Sequence, residues 1–334
     1  MSNAALAGLS DDLLFVTVLL YALSMLAFAG EQAARRSKQV TAGISEALTA
    51  RQAAAARTRV MAGGPSLLPP PPVSQVAAAP RPSRAGQAGL VLAVVGAALH
   101  TGSLVTRGFA ADRVPWGNMY EFSSAVALSA VAIFLVMVFT GRVDRALGAF
   151  VMLPAVLYLG LAGTVLYTAA GPLVPALDSY WIKIHVFAAV LSSGAFLLSG
   201  VVALLYLLRS AHDARVVAGA RLRFPLSLGA SLPAAPVLDR VSYAVIAFAF
   251  PIWTFAIVAG AIWAESAWGR YWGWDPKETW SFITWVLYAG YLHARATAGF
   301  KGTKAAWIGV AAAGALIVDY YVVNIFVVGF HSYA

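Results

Sequence analysis

The chain has 334 residues, 60% of them hydrophobic and 11% charged, with a net charge of +9 and no cysteine. Soluble domains are nearly half apolar and about a quarter charged, so this composition excludes one. The lack of cysteine excludes disulfides, thiolate nucleophiles and sulfur-ligated metal. Uncharged runs such as Ala146 to Ala176 and Val241 to Ala264 exceed the roughly 20 residues that cross a bilayer as a helix. They do not alternate in polarity as barrel strands do. The fold class is therefore all-α, a polytopic integral membrane helix bundle.

In chain order, about eight transmembrane helices are expected, at 13–30, 88–106, 121–140, 147–169, 185–208, 241–263, 279–297 and 306–330. Asp11 and Asp12 precede the first run where a signal peptide carries positive charge. Residues 1–30 are therefore read as a retained first transmembrane helix. Residues 31–87 form a basic, Pro/Ala-rich cytoplasmic linker with helical composition near Ile44 to Val60. It then breaks into "GGPSLLPPPPVSQVAAAPRPS", whose prolines favour extended chain. Such a linker is expected to tether the first span loosely. Residues 88–334 are the membrane core.

Lys and Arg gather in alternate connections: 31–87, 141–146, 209–240, and around Arg295, Lys301 and Lys304. The positive-inside rule then puts both termini outside the bacterial cytoplasmic membrane. The net charge reads as a topology signal, with some attraction to anionic membrane lipid, and no nucleic acid partner is implied.

Five histidines stand out in so apolar a chain. His212 falls in a basic loop and reads as solvated. His185 begins the fifth span and His331 ends the eighth, both expected on the outer side. Two imidazoles on different helices at one level can supply both axial ligands of a haem iron. Ala188, Ala189 and Ser192 give His185 a stripe of small neighbours, as a flat macrocycle requires. The alternative is a pair of interfacial histidines hydrogen-bonded to water, beside small residues that serve helix packing. His293 lies about 26 Å along the seventh helix, near the inner leaflet, beside Ala289, Gly290, Ala296 and Thr297. A titratable residue within a span is a functional hypothesis by default, against a histidine that snorkels beside Arg295. His100, in the second span, fits a structural hydrogen bond better.

Six tryptophans lie between Trp263 and Trp285, four of them in "WGRYWGWDPKETW": Trp268, Trp272, Trp274 and Trp280. An aromatic belt explains one or two per span end. This density, in the loop at 264–280, suits a platform for a flat ligand. Arg270 and Lys277 can meet carboxylates of such a ligand through charge-assisted hydrogen bonds. Asp275, Pro276 and Glu278 read as the N-cap, first and third positions of a capping box, with direct ligand contact by Asp275 as the other reading.

"WGRYWGWDPKETWSF" resembles the WWD signature of haem-handling membrane proteins. "SYWIKIHV", "YLHAR", "NIFVVGFHSYA" and "VPWGNMYEF" narrow the resemblance to the CcsA/ResC type of cytochrome c biogenesis protein, over roughly residues 88–334. The resemblance implies the membrane subunit of a cytochrome c synthase (haem lyase). It would act with a ResB/CcsB-type membrane protein, carry haem b (iron protoporphyrin IX) outward, and attach it to the CxxCH motif of apocytochrome c. His185 and His331 match the external, catalytic iron ligands beneath the loop of Trp268, Trp272, Trp274, Asp275 and Trp280. His293 matches a ligand of an inner haem site, whose second ligand is attributed to the partner. A thiol reductant pathway is implied as well. The family usually has His where this chain has Arg113, which weakens any role for that position. Two alternatives remain: a haem exporter or chaperone without ligation activity, and a transporter of an unrelated solute gated by the tryptophan loop.

Overall fold

Apolar runs in lipid must close their backbone hydrogen bonds locally, and here every one is helical. The computed structural model describes residues 1–61, 83–172, 179–297 and 300–331. Its helices are α1 (Asn3–Met61), α2 (Arg84–Ala111), α3 (Met119–Phe139), α4 (Gly148–Val165), α5 (Tyr180–Val217), α6 (Ala235–Trp268), α7 (Pro276–Ala296), α8 (Thr303–Ile317) and the short α9 (Val323–Phe326). A π-helical turn, Val318–Val322, joins the last two. Residues 62–82, the proline-rich part of the expected linker, lie outside the described residues.

Seven of the eight expected spans are helices long and apolar enough to cross a membrane, with α8 to α9 counted as one. The seventh, α7, is as long as α3 but falls short in apolarity. Lys277, Glu278, His293 and Arg295 lie at its ends, and its middle is aromatic and partly polar. Several helices begin where a short polar side chain accepts an otherwise unpaired backbone N–H: Ser83 for α2, Asn118 for α3, Ser179 for α5 and Asp275 for α7.

The bundle is built on two close helix pairs, α1 on α2 and α5 on α6, with α5 also touching α3 and α8. α5 is the most enclosed span, because its inward face is small: Ala188, Ala189, Ser192, Ser193, Ala195 and Ser199 are all buried. Small side chains let helix backbones approach closely where lipid gives no hydrophobic drive to associate.

The first span is not loosely tethered, contrary to the expectation from the linker. α1 is one helix through Met61, and polar contacts tie it down along its length. Ser10 Oγ donates to Ser103 O (2.9 Å) and Ser103 Oγ to Ser10 O (2.8 Å). Ser24 Oγ donates to Gly89 O (2.7 Å). His100 sits between Tyr21 OH (3.4 Å) and Ser124 Oγ (2.8 Å), a structural hydrogen bond as expected. Further along, Glu31, only 1% exposed, accepts from Arg145 (2.8 Å) and Arg35 (3.1 Å). Polar pairs fix this helix together with the close packing of buried Leu14, Tyr21 and Phe28, since lipid solvates exposed apolar surface equally well.

His212 is buried rather than solvated. Its Nδ1 donates to Leu226 O (2.9 Å), as the 3₁₀ turn Leu226–Ser231 folds back on α5. At the other end of the bundle, buried Glu121 gathers Arg107 Nε (2.9 Å), Arg113 Nη1 (2.6 Å) and the Gly117 N–H (2.8 Å). Arg113 also donates to Gly171 O (2.8 Å). Arg113 thus pins the loop between α2 and α3, and that loop forms one wall of the cavity described below.

Removing the Glu31 carboxylate leaves two arginines without their shared acceptor. Glu31→Ala is expected to cost about 1.5–3 kcal/mol, the usual worth of hydrogen bonds to a charged group. A thermal melt of the purified protein in detergent checks this; an unchanged midpoint would mean that α1 is not held there.

Candidate functional site

At the Glu121 end of the bundle, α3, α5, α6, α7 and the α8–α9 segment surround one large cavity. Its empty space, open mouth included, is about 1450 Å³. The wall is mainly apolar and aromatic: Trp116, Phe122, Trp253, Trp263, Trp272 and Tyr320 take part in it. The groups that carry a charge or an imidazole are His185, His331, Lys183, Lys277, Glu278 and Asp319, with Asn118, Ser193, Ser281 and Asn324 as neutral polar neighbours.

His185 and His331, distant in sequence, meet at this one cavity. Each ring is oriented through Nδ1. The Ala256 carbonyl lies 2.7 Å from His185 Nδ1. A carbonyl only accepts, so Nδ1 carries the proton and Nε2 the lone pair of the neutral ring. The approach depends on Gly260, one turn further along α6: a Cβ there would stand 2.7 Å from His185 Nδ1. The Asp275 carboxylate lies 2.9 Å from His331 Nδ1, and the same logic assigns that proton. A carboxylate or carbonyl behind Nδ1 is the arrangement found behind metal-ligating imidazoles.

Asp275 does more than cap α7. The capping box is complete, with Glu278 Oε2 accepting from the Asp275 N–H at 3.0 Å. Asp275 Oδ2 accepts from the Lys277 N–H (3.2 Å) and Oδ1 from the Phe330 N–H (2.8 Å). One carboxylate therefore joins the start of α7 to the C-terminal segment and its histidine. Gly329 permits this, since a Cβ there would meet Asp275 Oδ1 at 2.6 Å. Burial pushes the Asp275 carboxyl up, but the His331 hydrogen bond and the two backbone N–H bonds outweigh it and hold it below its ordinary value. Its folded value lies below an unfolded value of about 3.9. Its contribution to stability is thus fully present above about pH 4 and is lost as pH falls through the lowered value.

The tryptophans divide. Trp272 lines the cavity. Trp268 packs edge-on against the His331 ring at 4.8 Å, and buried Trp263 stands 6.0 Å from it. Trp274 is 66% exposed, outside the wall, and stands at right angles to Trp272 at 5.7 Å. Its φ of 57° is left-handed, a backbone state that costs a bulky residue energy and clusters at functional sites. Trp280 is outside the wall as well. Lys277 lines the cavity and Arg270 does not: its guanidinium lies over the Phe330 ring at 4.5 Å. His293 is exposed on α7 far from the cavity, near the Arg295–Asp239 ion pair (2.7 Å). The stripe beside His185 is also displaced. Ala189 lines the cavity, whereas Ala188 and Ser192 are buried in helix packing.

Several wall residues carried no distinguishing sequence signal. Trp253 sits in an apolar run and Gly260 is one of 29 glycines; Asp319 is the exception, since a carboxyl within the expected span 306–330 is a functional hypothesis by default. Trp116, Asn118 and Met119 lie in "VPWGNMYEF", a stretch that carries the resemblance but whose composition points to no particular role. Among the described residues no group of three or more His, Cys, Asp or Glu could hold a metal ion. A pair of imidazoles cannot satisfy a bare ion that needs three or four protein ligands. It does suit an iron whose other four ligands belong to a flat macrocycle, and the aromatic, apolar wall fits that group.

Comparison with known proteins bears on this site. Residues 116–331 match the family described as Cytochrome C assembly protein. The chain is similar to the cytochrome c biogenesis protein CcsA of Guillardia theta, 41% identical over 172 residues, covering 49% of this chain and 57% of that one. It is similar to the CcsA of Trieres chinensis, 33% identical over 270 residues, covering 74% and 86%. The CcsA of Gloeobacter violaceus (strain ATCC 29082 / PCC 7421) is 33% identical over 279 residues, covering 70% and 82%. The match thus spans little more than half the Guillardia protein and most of the other two.

The Asp275 junction can be tested directly. Asp275→Ala removes a cap worth about 1 kcal/mol and charge-assisted bonds worth about 1.5–3 kcal/mol. Gly329→Ala is expected to free the C-terminal segment while leaving the capping box in place. Limited proteolysis should then cut near Phe330 in both variants, with a lowered melting midpoint only in the first. Equal protection of variant and parent would sink the junction.

Proposed function

This chain belongs to the Cytochrome C assembly protein family, a multi-pass membrane protein with a role in cytochrome c maturation, and on that premise we propose that it is the haem-handling subunit of a cytochrome c synthase. It acts with a ResB-type membrane partner. It holds haem b at the outer face of the bacterial cytoplasmic membrane and presents it to the CxxCH motif of apocytochrome c. The observation that carries this reading is the meeting of His185 and His331 at one apolar cavity, each with an acceptor behind Nδ1.

In the reaction, two client thiols add across the haem vinyl groups to give two thioethers. The thiols come from the client, since this chain has no cysteine, and a thiol reductant pathway keeps them reduced. His185 and His331 hold the iron through Nε2. Trp268 and Trp272, with the buried Trp263, exclude water and keep the ring plane fixed. Such positioning converts an encounter into a near-unimolecular step. Lys277 offers an ammonium inside the cavity, which makes it the better of the two expected carboxylate partners. Arg270 serves by stacking on Phe330, next to His331. The client histidine then displaces one of the enzyme imidazoles, and the product leaves.

His293 has a separate role. It is exposed at the opposite end of α7, beside Gly290, whose surroundings are open. An exposed histidine on a small stripe suits an inner haem site completed by the partner. Haem then passes from that site outward.

The His185→Ala, His331→Ala double variant is expected to lose the low-spin absorption of the outer haem. His293→Ala should lower haem loading at both sites. Absorption spectra of the purified complex read both outcomes; a double variant with an unaltered spectrum would remove the haem reading. Incubation with haem and a CxxCH peptide then separates ligation from export alone, since an exporter yields no thioether by mass spectrometry.

A further inference from the structure

One buried carboxyl in the cavity wall is not used by the site as described. Asp319 lies in the π-helical turn Val318–Val322. It is 3% exposed, it lines the cavity, and its Oδ1 is buried without a hydrogen-bond partner. An orphan acceptor of this kind calls for an explanation in a native structure. Single π turns within helices recur at functional sites, and here the turn brings Asp319 and Tyr320 together into the wall. Lys277 fixes it from α7: its Nζ donates to the Asp319 backbone carbonyl at 3.1 Å and stands 5.0 Å over the Tyr320 ring. The two charged ends do not join as an ion pair, so the carboxyl is left open to a donor arriving in the cavity.

Resting on the synthase reading above, we propose that Asp319 is the proton-transfer group of thioether formation. Addition of a thiol to a vinyl group breaks one S–H bond and the C=C π bond. It forms a C–S bond at the carbon next to the ring and a C–H bond at the terminal carbon. No oxidant or reductant is consumed. In an apolar cavity the thiol proton needs a carrier, because water is excluded. Asp319 accepts the proton from the client thiol as the sulfur attacks, and returns it to the terminal vinyl carbon, which restores the carboxylate. The donor and the acceptor of the proton are both parts of the substrates, so the cycle closes on this one group.

Most of the other charged or titratable groups facing the cavity have a hydrogen bond or a role already given, and Tyr271 is 61% exposed. His185 and His331 are turned by their Nδ1 bonds. Glu278 accepts from the Gly273 and Asp275 N–H groups through Oε2, so its orientation serves the capping box, though its Oε1 is also buried without a partner. Lys277 holds Asp319 and Lys183 lies at the exposed mouth. Tyr320 donates its hydroxyl proton to Met119 O (2.9 Å).

The test uses the full chain in complex with its partner, haem and a CxxCH peptide. Asp319→Asn is isosteric and is expected to keep the low-spin spectrum while slowing thioether formation at least about 100-fold, the lower end of general acid–base contributions. Asp319→Glu should recover part of the rate. The solvent deuterium isotope effect should change in Asp319→Asn, which a merely structural residue would not cause. Parental ligation rate in Asp319→Asn would overturn the proposal, and so would loss of the haem spectrum in that variant. Parental complex that yields no thioether at all would overturn the synthase reading itself, and the proposal with it.

Discussion

Much of the site depends on the Asp275 carboxylate. It stands at the start of α7, where unpaired backbone N–H groups and the helix dipole favour a negative charge. A residue there would ordinarily serve the helix alone. Here its two oxygens also receive the Phe330 N–H and the His331 ring. A short C-terminal segment is thereby fixed against a rigid helix end, and the His331 ring is fixed with it. Glu278 completes the junction from the first turn of α7, taking the N–H groups of Gly273 and Asp275. The last part of the loop that carries Trp272 and Trp274 is consequently held by the helix start that follows it.

The second histidine is governed by the same principle with a different acceptor. His185 uses the Ala256 carbonyl, a backbone group on a helix interior. Because neither acceptor can donate, both rings present the same nitrogen. Two imidazoles of matched tautomer, one on α5 and one on the C-terminal segment, form a preorganised pair, with little to rearrange when a ligand arrives. The cost is tight packing, seen at Gly260 and Gly329, where any side chain would displace the ring or its acceptor.

Charged residues elsewhere follow the rule that membrane charges must pair. Glu121 gathers Arg107 and Arg113, and Glu31 gathers Arg35 and Arg145. These clusters lie toward opposite ends of the bundle. The first fixes the loop that walls the cavity, and the second anchors α1. Arg113 gains a structural role from this. Its guanidinium is spent on Glu121 and Gly171.

The sequence by itself determined the helical class, the placing of most of the spans and the capping box at Asp275, and it singled out His185 and His331, which the fold brings to one cavity. These are legible because they rest on local quantities: apolar run length, the short polar side chain before a helix, and the scarcity of histidine in apolar sequence. It also marked the tryptophan loop, though not which of its rings face inward. Only the tertiary structure decided that Trp272 lines the cavity while Trp274 does not, and that Arg270 lies on Phe330. Tertiary structure also turned a seemingly loose first helix into an anchored one and a seemingly solvated His212 into a buried one. Gly260 emerged from an otherwise ordinary apolar run, and Asp319 took its meaning from the cavity it lines. The physical reason is common to all of these. Side-chain direction within a helix end or loop is set by neighbours far away in the chain, and hydropathy carries no record of them.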